Sequence, residues 1–487
     1  MVYKTSGGNL KFETCKICLM DDSASDWKAT QFGCNYCQEY DQNFGNKFHL
    51  SHNMLSNNEI HEILQKFAQT IKSVKTESKY DCVVGLSGGL DSTYALHLAV
   101  NAGLRVLAVH MDNGWNSELA QHNIEGIIQK TGVDFETNVL DWDTYKKLQE
   151  AFFKADVVDI EMLYDHAAIA TCFSLAKKHN VKTIIAGTNS ATEGMRMPPT
   201  WSWINKYDEM NIRSIWANFG DGTSIDKFPF YSTFDHYHDL FFKKYNWSSI
   251  IDLLPYSKKE VEQLLFNDYG FQRYPYKHYE SVFTRFYQGY ILPTKFGVDK
   301  RKNHLSSLVL NGELSRGEAL QALSHIPYPT VNELQHDKDY FLKKMGWRIS
   351  ELEEYLKRSP VSHWEFDTDE KFMRPFRKMD DILNKLINHA NTWWNKRNLT
   401  PAGGIRVTEC SSFGYPESNQ VNTRWYITRI FLRSKQKIKY VSRKITVKFL
   451  RKIFLIARKI FYIVKICILY LVIRVYKHQL RNMIANN

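Results

Sequence analysis

The sequence predicts an α/β fold built on a doubly wound parallel sheet, with a small cysteine-rich module before it and a helical extension after it. Short apolar segments alternate with segments of helical periodicity, in the order 80–86, 92–102, 104–110, 117–131, 135–140, 165–179 and 182–186. Such alternation is typical of parallel sheets, because each helix returns the chain to the end where the last strand began. Ligands of these sheets bind beyond the carboxyl ends of the strands, so we expect the site there.

Changes of pattern along the 487 residues predict several units, since a chain of this length exceeds one ordinary domain. The predicted parts are a cysteine module, a linker helix, the α/β domain, a helical extension, a linker and a basic amphipathic tail, at 1–50, 51–78, 79–325, 326–400, 401–423 and 424–487. Within the extension, Thr330 with Glu333 and Ser350 with Glu353 have the spacing of capping boxes, which predicts two helix starts.

The charge of the chain is unevenly distributed. Residues 421–487 hold 17 of the 64 lysines and arginines and none of the 52 acidic residues, so the first 420 residues carry a net charge of −5. We therefore expect no nucleic-acid partner for the body, because such partners require a basic surface. Residues 1–10 lack the apolar segment of a signal peptide, and we expect a cytoplasmic protein.

The basic tail alternates cations with apolar residues. Its longest apolar run, 460–476, is interrupted by Lys465 and Arg474. A spanning helix needs about 20 apolar residues, so the pattern favours a helix lying on the inner membrane face against anionic lipid. A solvated or partner-binding helix and a nucleic-acid contact are the alternatives.

A glycine-rich loop follows the first apolar segment of the α/β domain and reads Ser87-Gly88-Gly89-Leu90-Asp91-Ser92. Glycines let the backbone approach a phosphate, and the amides at a helix start form a cradle for an anion. The candidate nucleotide-binding residues are Ser87, Gly88, Gly89, Asp91 and Ser92, joined by Asp112, Gly187 and Thr188 from the turns after later strands. The simpler alternative is a tight turn without a ligand.

Two cysteine pairs, Cys15 with Cys18 and Cys34 with Cys37, are separated by 15 residues. This spacing is typical of a four-thiolate zinc site, which is closed and therefore structural. So small a module has little core and needs the metal to fold. An iron–sulfur cluster is the competing interpretation, since the same pairs bind either.

The loop matches the signature of the PP-loop (adenine nucleotide alpha hydrolase-like) ATP pyrophosphatases, which use ATP to adenylate a substrate oxygen. Together with the cysteine pairs, segment 277–290 and segment 295–308, the order of motifs resembles the N-acetyl sugar amidotransferase family. That family acts in bacterial lipopolysaccharide O-antigen and nonulosonic acid pathways. The resemblance covers about residues 12–330 and leaves the last quarter of the chain unexplained.

The resemblance implies an ATP-dependent amidotransferase that converts an acetamido group on a sugar into an acetamidino group. ATP, Mg²⁺ and structural Zn²⁺ are the implied cofactors, with Asp91 or Asp112 as candidate magnesium ligands. From residue type we assign Lys295, Lys300 and Arg301 to charge stabilisation at the phosphates. By the same reasoning we assign Lys277, Glu280 and Arg285 to binding the sugar or orienting its amide.

The implied partners are an acetamido sugar, nucleotide-linked or resembling sialic acid, and a separate source of ammonia. The family resemblance indicates a glutaminase similar to that of histidine biosynthesis, with its cyclase-like channel partner. The chain itself has Val2 after the first methionine and no glutaminase elbow. The alternatives are a tRNA-thiolating PP-loop enzyme, for which Cys172 is the candidate sulfur carrier, and a membrane-tethered scaffold that binds ATP without turnover.

Overall fold

The computed structural model describes residues 13–45, 55–74, 77–371 and 373–374. The predicted linker at 401–423 and the basic tail lie outside the described residues, as does most of the second half of the predicted extension. Described residues up to Asp369 belong to one structural unit, and the few after it to a second. Among the described helices, none combines the length and apolar character needed to cross a lipid bilayer.

Five parallel strands form the main sheet, and a two-stranded antiparallel hairpin lies in the cysteine module. The strands are β1 Ala29–Thr30, β2 Gly33–Cys34, β3 Cys82–Gly85, β4 Val106–Asp112, β5 Asp134–Val139, β6 Thr183–Ala186 and β7 Asn246–Ser249. The main sheet has the order β5-β4-β3-β6-β7. The chain therefore winds outward in one direction from β3 through β4 to β5, and in the other from β6 to β7. This confirms the predicted doubly wound α/β fold and puts its switch point between β3 and β6.

Helices surround the sheet and continue after it. They are α1 Asn35–Phe44, α2 Asn57–Lys72, α3 Leu90–Asn101, α4 Glu118–Thr131, α5 Trp142–Lys154, α6 Met162–Lys178, α7 Ser190–Glu193, α8 Glu209–Phe219, α9 Thr233–Phe241, α10 Lys258–Tyr269, α11 Val282–Phe286, α12 Arg301–Asn311, α13 Arg316–Ser324, α14 Val331–Met345 and α15 Ile349–Lys357. Two short 3₁₀ helices span Ile251–Leu253 and His363–Glu365, and a π-helix spans Tyr287–Phe296 between α11 and α12.

The central strands β3, β4 and β6 are mostly apolar because both faces of the sheet are covered, with Thr183, His110 and Asp112 as the polar exceptions. Val84 and Ala108 belong to one buried cluster, whereas Val83, Leu107 and Ile184 belong to another. Successive side chains of a strand point to opposite faces, so the two clusters are the cores on the two sides of one sheet. A continuous apolar segment was the correct signal for such strands.

One predicted helix start is confirmed and the other is wrong. The Thr330 side chain accepts from the Glu333 amide at 3.1 Å, and α14 begins directly after it. By contrast, α15 begins at Ile349, where the Glu351 carboxylate accepts from the Arg348 amide at 2.7 Å, so Ser350 lies inside the first turn. The edge strand β7 was not predicted, because its sequence Asn-Trp-Ser-Ser has no apolar alternation.

Candidate active site at the switch point

The glycine-rich loop connects β3 to α3 and is held by its own serines. Ser87 Oγ lies 3.0 Å from Ser92 Oγ and accepts from the Gly89 amide at 3.2 Å. Gly88 has φ +82°, and a Cβ built on it would lie 2.6 Å from the Ala120 carbonyl oxygen. A side chain is therefore excluded at Gly88 both by backbone conformation and by the close approach of α4.

The turn after β6 meets this loop across the switch point. A Cβ on Gly187 would lie 2.6 Å from the Ser92 backbone nitrogen, so this glycine allows close contact between β6 and the start of α3. Asn189 donates to Asp91 Oδ1 at 3.0 Å, and Thr188 is held through its carbonyl by Ser249 Oγ at 2.6 Å. The structure thus brings together the predicted loop and the predicted turn at Gly187.

A later segment of the chain lies over the loop. Ser117 donates its amide to the Glu280 carbonyl at 2.9 Å, and Val282 donates to the Trp115 carbonyl at 2.8 Å. Because this pairing fixes the backbone of residues 280–282 against the turn after β4, the side chain of Glu280 reaches the loop. A Cβ built on Gly89 would lie 3.4 Å from Glu280 Oε1.

Polar side chains from α4 and from the segment after α10 fix the loop at Gly88. Tyr274 donates its hydroxyl to the Gly88 carbonyl at 2.8 Å. The buried amide of Asn123 donates to the Tyr274 hydroxyl at 3.2 Å and to the Gln272 carbonyl at 3.1 Å, while accepting from the Gln272 amide at 2.8 Å. These contacts orient the loop without occupying its amides.

Lys277 is the central cation of the site. Its Nζ lies 3.2 Å from Asp91 Oδ2, 2.9 Å from Glu193 Oε1 and 3.1 Å from the hydroxyl of Thr192. Burial raises the pKa of Asp91, but Lys277 and the hydrogen bonds from Asn189 and Tyr256 outweigh it and leave that pKa below its ordinary value. The Asp91 carboxylate is therefore charged and faces a position already taken by a cation.

Two histidines lie beside this ion pair. His278 Nε2 is 3.9 Å from Glu193 Oε1, and its Nδ1 is 3.6 Å from Glu280 Oε1. The ring of His304, on α12, lies 5.3 Å from that of His278. Burial, reinforced by the charge of Lys277, holds the pKa of His304 well below its ordinary value, so this imidazole is neutral.

Other predicted catalytic residues lie elsewhere and have internal partners. Lys295 Nζ is fully buried and bonds to the carbonyls of Tyr355 and Arg358 at 2.7 and 2.6 Å. Arg301 pairs with Asp299 at 2.7 Å. The structure therefore does not bring Lys295 or Arg301 into contact with the glycine-rich loop.

Three more predicted residues form hydrogen bonds or ion pairs within the fold, namely Arg285, Lys300 and Asp112. Arg285 holds Asp337 of α14 through two bonds of 2.6 Å. Lys300 pairs with Glu161 at 2.8 Å. Asp112 Oδ1 accepts from the Gly114 amide at 2.7 Å, which shapes the turn after β4.

Several residues of this site were missed from the sequence. They are Asn123, Glu193, Tyr256, Tyr274, His278 and His304. His278 and His304 lie inside segments 277–290 and 295–308, which carry the family resemblance, so their polarity was an available signal. Asn123 lies within a helix and Tyr274 in an irregular segment, and nothing in their local pattern marks a role.

The four predicted metal ligands converge at the amino-terminal module. Cys15 Sγ lies 3.7 Å from Cys37 Sγ, Cys18 Sγ lies 3.7 Å from Cys34 Sγ, and Cys34 Sγ lies 3.8 Å from Cys37 Sγ. Sulfurs bound to one tetrahedral zinc ion at about 2.3 Å lie about 3.8 Å apart. The buried quartet is therefore compatible with zinc, and the distances are far too long for disulfides.

The cysteine module packs against the site. Arg316 donates to the carbonyls of Cys15 and Cys18 at 2.8 and 3.2 Å, which joins the metal-binding loop to α13. A Cβ on Gly194, next to Glu193, would lie 2.9 Å from the ring of Phe44 in α1. Helix α1 of the module therefore lies directly against the residue that follows Glu193.

Two sequence families match the chain in agreement with this geometry. The family described as NAD synthase matches residues 60–197, which contain the glycine-rich loop and the turn after β6. The family described as LPS biosynthesis protein WbpG-like, C-terminal domain, matches residues 280–380. Together the two matches support a PP-loop amidotransferase-like family related to lipopolysaccharide biosynthesis. For this family the two matches support an ATP-using enzyme of the ligase type.

Solved structures of similar chains are distant. An NH₃-dependent NAD synthetase from Campylobacter jejuni is 16% identical with a TM-score of 0.24, covering 28% of this chain and 59% of its own. An NMN synthetase from Francisella tularensis is 16% identical with a TM-score of 0.31, covering 58% of this chain and 97% of its own. The chain thus spans less than two thirds of the length of the Campylobacter enzyme. No curated protein matches it significantly in sequence.

Proposed function

We propose that this protein is an ATP-dependent amidotransferase that converts the acetamido group of a sugar into an acetamidino group during bacterial surface-polysaccharide biosynthesis. The observation that carries the proposal is the meeting of the glycine-rich loop with Lys277, Glu193 and Glu280 at the switch point. The family matches support ATP use and lipopolysaccharide biosynthesis, and the sugar chemistry rests on the resemblance of the sequence motifs.

In this proposal the loop amides of Gly88 and Gly89 and the hydroxyls of Ser87 and Ser92 bind the β- and γ-phosphates. The loop lies at the start of α3, where the helix dipole favours negative charge. Lys277 then stabilises charge at the α-phosphate, because it is the cation nearest to Asp91 at 3.2 Å. Lys295 and Arg301 are assigned structural roles, since their partners lie away from the glycine-rich loop.

The chemistry follows from the weakness of an amide oxygen as a leaving group. The acetamido oxygen attacks the α-phosphorus, and the bond to the β-phosphate oxygen breaks to release pyrophosphate. Ammonia then attacks the imidate carbon, the carbon–oxygen bond to AMP breaks, and loss of a proton leaves the amidine. Glu280, beside Gly89, orients the amide, and positioning of this kind supplies much of the catalysis.

Magnesium and zinc fit the residues present. The Asp91 carboxylate would hold Mg²⁺ together with ATP phosphates once the ion replaces the Lys277 ammonium, which lies 3.2 Å from Oδ2. The cysteine quartet would hold Zn²⁺ in a closed site without a catalytic position. Its proposed task is to fix the module that packs beside Glu193.

Ammonia is proposed to come from a separate glutaminase with a cyclase-like channel partner. Contact of the predicted tail 424–487 with the inner membrane face is also a proposal, and that segment lies outside the described residues.

The test is ATP turnover with ammonium and a panel of acetamido sugars, followed by AMP, pyrophosphate and sugar mass. Sugar-dependent AMP release together with conversion of the amide oxygen to an imino group supports the proposal. Lys277→Met should lower AMP release by roughly 100- to 1000-fold, the typical loss of one preorganised charge partner. AMP release that does not depend on any acetamido sugar would refute the sugar chemistry.

Arg105→Gln is the matched control for loss of a cation. Arg105 directly precedes β4 and so lies at the amino ends of the strands, whereas the loop lies at their carboxyl ends. Its exposed side chain pairs with Asp81 at 2.7 Å. Its removal should leave turnover unchanged, whereas an equal loss in both variants would indicate a general effect of charge.

A tRNA-thiolating enzyme is the weaker candidate. Its sulfur carrier would be Cys172, which packs against the end of β3, with Sγ 3.4 Å from a Cβ built on Gly85. Burial raises the pKa of this thiol to about 12, so it is a poor nucleophile. Stimulation of AMP release by tRNA and a sulfur donor would nevertheless favour thiolation.

A further inference from the structure

Glu193, His278 and His304 form a cluster that the proposed reaction does not use in full. One donor atom of each residue lies within 4.8 Å of the others. The three residues come from separate elements, namely α7, the segment before α11, and α12. Their convergence is therefore a product of the tertiary fold.

An unsatisfied atom in the cluster points to a ligand. His304 Nδ1 is buried and has no hydrogen-bond partner among the described residues. A buried ring nitrogen without a partner loses the free energy of a hydrogen bond, and native structures seldom leave such atoms unpaired. Coordination to a metal ion would satisfy this atom.

His278, next to His304, has an unusual backbone conformation. Its φ is +64°, in the left-handed region that residues other than glycine seldom adopt. This conformation accompanies an imidazole whose Nε2 lies 3.9 Å from Glu193 Oε1.

Two carboxylates lie beside His278. Glu193 Oε1 is 3.9 Å from its Nε2 and also contacts Lys277, and Glu280 Oε1 is 3.6 Å from its Nδ1. The other carboxylate oxygen of Glu193 remains able to coordinate.

From these observations we infer that Glu193, His278 and His304 bind a divalent transition metal ion, distinct from the cysteine-bound ion and from the magnesium of ATP. Two imidazoles and one carboxylate are a ligand set that zinc and similar ions prefer, and three protein ligands leave a coordination position open. Magnesium prefers oxygen ligands, so the imidazoles select against it.

The geometry requires a small adjustment. Donors on one tetrahedral ion with bonds of about 2.1 Å lie about 3.4 Å apart, and the present donors lie within 4.8 Å of one another, so they must close by at most about 1.4 Å. The change would be made by rotation of the His278 and Glu193 side chains on binding the ion.

The test uses the full chain stripped of metal and then reloaded with Co²⁺ in excess Mg²⁺, with bound metal measured after removal of free ion. Wild type should hold about two Co²⁺ per chain, one in the cysteine quartet and one in the histidine cluster. His304→Gln and His278→Gln should each hold about one, while thiolate-to-cobalt absorption from the quartet stays unchanged. His336→Gln, on a side chain that is 81% exposed, is the control and should match wild type.

Several outcomes would overturn the inference. Wild type could bind cobalt only through thiolates, or both histidine variants could keep the second ion. Far-ultraviolet circular dichroism separates loss of the site from loss of the fold, and the second variant guards against one that does not fold. Because metal content is read without turnover, failure of this inference and failure of the proposed amidation are distinguishable.

Discussion

The replacement Gly88→Ala tests the proposed role of the glycine-rich loop most directly. Gly88 has φ +82°, and an added Cβ would lie 2.6 Å from the Ala120 carbonyl oxygen, which is backbone and cannot rotate away. The left-handed conformation costs about 1–2 kcal/mol for a residue with a side chain. Overpacking against a fixed neighbour adds about 1–3 kcal/mol, so we expect a total loss of about 2–5 kcal/mol in the free energy of unfolding.

The same helix supplies a matched control at its other end. Gly103, just after α3, has φ +72°, but no atom lies within 4 Å of an added Cβ. Gly103→Ala should therefore cost only the conformational part, about 1–2 kcal/mol. The difference between the two variants isolates the contact with α4.

The assay combines urea unfolding with the rise in melting temperature on adding ATP and Mg²⁺. Gly103→Ala should keep the full ATP-induced rise, because it leaves the loop unchanged. Gly88→Ala should lose most of it, because the loop must move away from Ala120 to relieve the clash. Equal stability losses in the two variants, or a normal ATP response in Gly88→Ala, would refute the reasoning.

Three further predictions concern buried charge, pH and metal. Lys206→Met leaves the buried carboxylate of Asp159 without its ammonium and should cost about 3–5 kcal/mol in urea unfolding, whereas Lys66→Met, at a pair whose lysine is 73% exposed, should cost almost nothing. Burial raises the pKa of Glu313 from 4.5 to about 7, so its contribution to stability falls as the pH rises between these values. Glu313→Gln should consequently stabilise the protein above pH 7 by at most about 3 kcal/mol and not below pH 4, and a gain at both pH values would contradict this origin. Removal of zinc by a chelator should lower both the melting temperature and ATP binding, because the module packs beside Glu193, and retention of full ATP binding would show that the module and site are independent.

Local sequence pattern was enough to predict the central strands, the glycine-rich loop and the cysteine quartet. Continuous apolar segments predicted β3, β4 and β6, since strands covered on both faces have no polar side. The order Ser-Gly-Gly-Leu-Asp-Ser predicted the loop at the end of β3, because a turn that must bring backbone close to phosphate needs glycine. The cysteine spacing predicted four converging thiolates.

Composition could not show which cations lie at the glycine-rich loop. Lys277 and Lys295 are both lysines in segments of similar character, yet one meets Asp91 and Glu193 while the other binds backbone carbonyls at the end of α15. The difference depends on how the segment after α10 pairs with the turn after β4, a contact between residues far apart in sequence. Pattern within a segment carries no information about such pairing.

The sequence by itself thus determined the parallel sheet, the glycine-rich loop and the cysteine quartet, because each is marked by a pattern of residues close together in the chain. Only the tertiary structure decided which side chains meet at the switch point. Asn123 and Tyr274 fix Gly88, and His278 and His304 converge on Glu193, through contacts made by separate elements. The physical reason is that a loop needs only local backbone freedom, whereas a site of converging charges needs the packing of the whole domain.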